Sequence, residues 1–118
     1  MVKLEQLATA ALQGDGLLTR SLAQDFFREH PQFATVPQPV GVDMPTLAVS
    51  ASLLELFALR RHQAVPTWTQ TVGALAAPIF LLKAARTMKR LRALCEAEAP
   101  EPLRKRNLYA PPNYLEFA

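Results

Sequence analysis

The stretch "DMPTLAVSASLLELFALRRH", Asp43 to His62, decides the fold. Asp43 or Thr46 can cap a helix there, and Pro45 suits its first turn, where a missing N–H costs nothing. On a helical wheel Leu47, Leu54 and Ala58 fall on one side with Leu53 and Phe57 beside them, while Val49, Leu56 and Leu59 fall on the other. A helix apolar on most sides is a buried one. The run ends at Arg60–Arg61–His62, where positive charge favours a helix C-terminus. The sequence therefore predicts a central helix with other helices packed around it.

Working outward, the spacing predicts a first helix over 2–13, with Leu4, Leu7, Ala8 and Ala11 on one stripe, stopped by Gly14–Asp15–Gly16. A second helix is expected over 17–29, with Leu18, Leu22 and Phe26 four apart, ended by Pro31. The loop "PQFATVPQPVGVDMP" carries Phe33, Val36, Val40 and Val42 and should lie against the fold. Beyond a joint at Trp68, expected as a packing peg between the third and fourth helices, a fourth helix is predicted over 79–97. In it Leu81, Ala84, Met88, Leu91 and Cys95 share one face, and Lys83, Arg86 and Arg90 the opposite one. No alternating run of strand length stands out, so no sheet is expected. The predicted fold class is all-α: a compact bundle of four to five helices with proline-rich joints, a helical domain over 1–106 and an extended C-terminal tail over 107–118.

Bulk properties narrow the function. A chain of 118 residues forms one domain, and 50% apolar with 19% charged residues is ordinary for a globular protein. The longest apolar-rich run, 72–82, holds a proline and is about half the ~20 residues a spanning helix needs, so no membrane association is expected. A single cysteine, Cys95, forms no internal disulfide, and the N-terminal stretch reads as an amphipathic helix rather than a signal peptide. Both point to the cytoplasm.

Catalytic chemistry finds little support. His30 and His62 sit in different segments, without a second ligand at metal spacing, and no phosphate-binding glycine loop occurs. Cys95 shares an apolar face with Leu91 and Met88, the setting of a small hydrophobe rather than a nucleophile. Neither enzyme activity, cofactor nor metal is expected. "QGDGLLTRSLAQDFF" only faintly imitates a helix-turn-helix, since its second helix is too apolar for recognition.

Two features remain. Eight of the thirteen basic residues lie between Lys83 and Arg106: Lys83, Arg86, Lys89, Arg90, Arg92, Arg104, Lys105 and Arg106. They read as the solvated back of a helix, as a patch for an acidic protein, or as a nucleic-acid surface. The second is the ending "RKRNLYAPPNYLEFA", whose prolines forbid a helix and favour extended geometry. Such a segment suits a partner's groove, with Leu108, Tyr109, Tyr114, Leu115 and Phe117 as anchors and Arg104 to Arg106 steering. It suits equally well a fold-back onto the protein's own core.

"PTWT" (Pro66 to Thr69) and "APEPLRKRNLYAPPNYLEFA" (Ala99 to Ala118) together resemble a bacterial family of short proteins. Its members show a P-x-W-T joint, a helical stretch, and a basic R-x-R-N-(L/I)-Y ending. Proteins of this kind look like antitoxins, often encoded beside nucleotidyltransferase-like proteins. The matching positions are Pro66, Trp68, Thr69, Pro100, Arg104, Arg106, Asn107, Leu108, Tyr109 and Leu115. The resemblance implies a non-enzymatic protein-binding module that neutralises a nucleotidyltransferase-like toxin by occluding its active site. Arg104 and Arg106 would face the carboxylates that hold Mg²⁺, and Tyr109 would stack where a base sits. The partner-binding set is then Arg104, Arg106, Asn107, Leu108, Tyr109, Tyr114, Leu115 and Phe117. Some relatives carry a helix-turn-helix domain ahead of this module, and no clear DNA-binding domain is expected here. The alternative is a nucleic-acid-associated accessory protein using the 83–106 surface. A homo-oligomer, with a tail exchanged between copies, is a third reading.

Overall fold

The structure is a computed structural model that describes residues 2–116. The chain is mostly helical, and five helices build it: α1 (Leu4–Gln13), α2 (Gly16–Glu29), α3 (Met44–Arg61), α4 (Lys89–Glu98) and α5 (Glu101–Arg104). Three short 3-10 turns, Phe33–Thr35, Thr67–Thr71 and Lys83–Arg86, link them. The central helix is as the sequence predicts. Asp43 caps α3 by accepting from the Thr46 N–H at 2.9 Å, Pro45 sits in its first turn, and His62 closes it in the left-handed region at φ 55°. Every residue from Ala48 to Ala58 is buried. Around it pack α1, which also lies along α2, and α5.

The stop between α1 and α2 is equally local. Gly14 takes φ 77°, and its N–H reaches the carbonyls of Ala10 and Ala11, which closes the last turn. A side chain there would also collide with Lys83, whose Cγ lies 2.5 Å from where a Cβ would stand. Asp15 then caps α2 through the Leu18 N–H.

The fourth helix departs from expectation. Residues 79–97 are not one helix: Ile79–Phe80 form a short strand β1, Lys83–Arg86 a 3-10 turn, and the helix proper begins only at Lys89. The reason is a partner far along the chain. β1 pairs in parallel with β2 (Leu108–Tyr109), Ile79 opposite Leu108 and Phe80 opposite Tyr109. The N–H groups of Ile79 and Leu81, which a helix would have turned inward, donate instead to the carbonyls of Asn107 and Tyr109 at 3.1 and 3.0 Å. A small parallel sheet thus exists where none was expected. Of the predicted apolar face, Leu81 and Cys95 are buried and Leu91 half-buried, whereas Met88 is 57% exposed and Ala84 is also exposed.

The C-terminal segment is likewise no independent tail. Leu108, Ala110 and Tyr114 belong to the same buried cluster as Leu7, Leu53 and Phe57. Arg60, at the end of α3, donates to the carbonyls of Tyr114 at 2.6 Å and Pro112 at 3.3 Å and so holds the returning chain. The division at residue 106 separates nothing: both sides share one core.

Candidate functional site

Glu55 stands in the middle of α3, a carboxylate in an otherwise apolar, buried stretch. A carboxylate there must be paired and hydrogen-bonded or it would destabilise the fold. Its partner is Arg106, which is 2% exposed and the bulkiest fully buried side chain among the described residues. The guanidinium meets both carboxylate oxygens at 2.9 Å in the two-pronged geometry that suits a planar fork. Its remaining donors reach backbone carbonyls: Nε to Val72 at 3.1 Å, Nη1 to Pro102 at 3.0 Å and Nη2 to Thr69 at 2.8 Å. Lys105 adds a second cation to Glu55 at 2.8 Å. Burial alone would raise the Glu55 carboxyl, but the bonds from Arg106 and Lys105 outweigh it and hold the group at about 2.

Arg106 thus joins α3, the turn 67–71, the start of α5 and the strand that follows. The turn it binds is the "PTWT" stretch. There Thr69 is buried, with its hydroxyl donating to Pro66, and the half-buried Trp68 donates through Nε1 to the Val36 carbonyl at 2.9 Å. The Trp68 ring packs against the core, and its hydrogen bond ties the 33–36 loop down rather than bridging the third and fourth helices.

Of the eight residues expected to meet a partner, the structure withdraws three. Arg106, Leu108 and Tyr114 are buried in the chain's own core, and burial pushes the Tyr114 phenol above the usual tyrosine range. Asn107 is half-buried at φ 67°, with Nδ2 donating to the Leu75 carbonyl, so it shapes the turn into β2. Leu115 is half-buried against the core. Phe117 lies outside the described residues. Two members keep accessible surface, to different extents. Arg104 is exposed, beside Glu101 and the Ala97 carbonyl. Tyr109 is half-buried and stacks on Phe80 with ring centroids 5.4 Å apart, and the Arg92 guanidinium lies over the same Phe80 ring at 4.6 Å.

The sequence reading missed Glu55. A single acid inside the apolar run "SLLELFAL" was the available signal, because it demands a cation from elsewhere in the chain.

The rest of the basic stretch is laid out differently. Residues 83–98 hold five cations and two carboxylates, a net +3 that equals the charge of the whole chain, so the remaining residues balance. Arg86 is used, donating to the carbonyls of Phe80 and Leu12. Lys89 and Arg90 are exposed, and neither belongs to an ion pair among the described residues.

Other chemistry does not assemble. His30 and Val2 are in contact through the ring Nε2 and the Val2 carbonyl, and His62 is the α3 cap. Cys95 is buried, and desolvation raises its thiol above the ordinary range. Among the described residues no three His, Cys, Asp or Glu side chains gather as metal ligands do, and no helix is long and apolar enough to cross a membrane. Comparison with known protein families, with curated proteins and with solved structures gives no match.

Proposed function

We propose that this protein is a non-enzymatic protein-binding module, an antitoxin that neutralises a nucleotidyltransferase-like toxin in the cytoplasm by occluding its active site. One observation carries the reading. The two stretches that resemble the antitoxin-like family meet around one side chain, Arg106, which binds the Thr69 carbonyl 37 residues away. Two motifs that fold into a single unit are better support for kinship than two that merely occur in one chain.

The unit changes the part each residue plays. Arg106 belongs to the staple and does not reach a partner. By fixing the backbone of 107–109 it presents Tyr109 and Arg104 in one arrangement, which lowers the ordering cost of binding. Arg104 faces the metal-binding carboxylates of the toxin, and Tyr109, backed by Phe80 and Arg92, stacks where a base would lie.

The test is co-expression with a nucleotidyltransferase-like toxin, read as rescue from growth arrest. The wild-type chain restores growth. Arg104→Glu combined with Tyr109→Ser, verified as folded by circular dichroism, does not. Undiminished rescue by that variant, or no complex between the wild-type proteins, would sink the proposal. The concentration of net charge in 83–98 favours a second reading, a nucleic-acid-associated accessory protein. Affinity for DNA or RNA that falls steeply with salt would select it.

A further inference from the structure

The charges at the two ends of α4 oppose its dipole, although one pair, Arg92 with Glu96 Oε1 at 3.3 Å, forms within the helix. Its first turn carries Lys89, Arg90 and Arg92 and no acid, and its last turn carries Glu96 and Glu98 and no base. A helix dipole prefers the reverse at both ends. Local choices that oppose the local structure mark places where something else sets the sequence. α4 is also thinly attached. Its inward apolar side chains, Leu91 and Cys95, pack onto a small cluster with Phe80 and Ala85 distinct from the larger core, and Arg92 lies over the Phe80 ring. The opposite side runs through Arg90, Ala93, Leu94 and Ala97, all exposed.

That outer side has two properties that choose its occupant. It is charged in blocks, positive at one end and negative at the other, and its middle is made of small apolar side chains. A phosphate backbone answers only the positive block. An antiparallel copy of the same helix answers both. Lys89 and Glu96 are seven residues apart and therefore lie on the same edge of the face, two turns from one another. With Ala93 on a two-fold axis, Lys89 of one copy stands opposite Glu96 of the other, and the reverse. Arg90 then lies along Ala97, within reach of Glu98. Ala93 and Ala97 let the helices approach closely, and Leu94, 37% exposed in the single chain, is covered. Self-complementarity of this kind is what an isologous contact requires.

We propose that the outer face of α4 is the contact through which two copies of this chain associate antiparallel. The proposal goes beyond the antitoxin reading and does not depend on it. Oligomeric state is measured on the protein alone, whereas neutralisation is read in growth.

Sedimentation velocity on the full chain at low ionic strength tests it. The wild type sediments as a dimer, and Ala93→Arg, which places bulk and charge on the axis at an exposed position, sediments as a monomer with unchanged helix content. Lys89→Glu with Arg90→Glu weakens self-association about tenfold, as does Glu96→Lys with Glu98→Lys. Mixed in equal amounts, the two charge-altered proteins form a 1:1 heterodimer. A wild type that stays monomeric at every concentration overturns the proposal. So do a dimer indifferent to Ala93→Arg, a mixture that fails to pair, and a monomer that binds an acidic protein or nucleic acid through this face.

Discussion

Arg106 and Arg90 are the same residue type sixteen positions apart in one basic run, yet they do opposite things. Arg106 is buried and spends every N–H on a partner, and its removal would leave the Glu55 carboxylate inside α3 with Lys105 as its one cation. Arg90 is exposed, sits at the wrong end of a helix for its charge, and belongs to no ion pair among the described residues. The contrast teaches that a cluster of basic residues is not one feature. Arg106 holds the chain end against the core and Arg86 ties to the Phe80 and Leu12 carbonyls, whereas Lys89 and Arg90 are surface whose layout the fold itself does not explain.

The comparison is broken most directly at the staple. Arg106→Met should lower stability by about 3 kcal/mol in urea denaturation, because the buried carboxylate keeps only the exposed Lys105 as a cation. Replacing Glu55 and Arg106 together by apolar residues should cost much less than the sum of the single changes. Equal effects from Arg106→Met and Arg104→Met would erase the distinction, since the contacts of Arg104, with Glu101 and the Ala97 carbonyl, are exposed. Leu108→Ala comes next, at about 2–5 kcal/mol for a fully buried leucine. A smaller loss would mean that β2 docks loosely.

Acid sharpens the same point. Glu55 is held at about 2, below its ordinary 4.5, so its contribution is complete above the ordinary value and disappears as pH falls through 2. Stability should decline between about pH 5 and pH 2 by on the order of 3 kcal/mol. Glu55→Gln should be less stable at neutral pH and lose less on acidification. An equally steep acid loss in that variant would place the titration elsewhere. The smallest effect belongs to α4. At a dilution where the chain is monomeric, Lys89→Glu should leave the global midpoint nearly unchanged and slow amide exchange within α4, by about 0.3–1 kcal/mol of local stability. Faster exchange would show that the cations stabilise the helix after all.

The sequence made some of this visible and hid the rest, for physical reasons. α1, α2 and α3 are local objects: apolar spacing, Gly14, Asp43 and Pro45 each act within a turn or two, so their boundaries could be read. β1 could not, since two residues show no periodicity and their pairing partner lies at Leu108. Without it, the apolar run Ile79–Leu82 looked like the start of the helix that actually begins at Lys89. The tail was legible as non-helical through Pro111 and Pro112. Its direction was not, because Arg104 and Arg106 look alike until Glu55 is placed 51 residues away. The acid in α3 was the clue, and it spoke of a missing cation without naming which.

Residues 107–114 are part of the core rather than a detachable peptide. Native-state hydrogen exchange at Ile79 and Leu81 tests this most directly, because those amides are closed only by the carbonyls of Asn107 and Tyr109. Both amides should exchange with the free energy of global unfolding and share its denaturant dependence. Exchange through a low-energy opening, with the three main helices still protected, would show that the segment detaches and contradict the account.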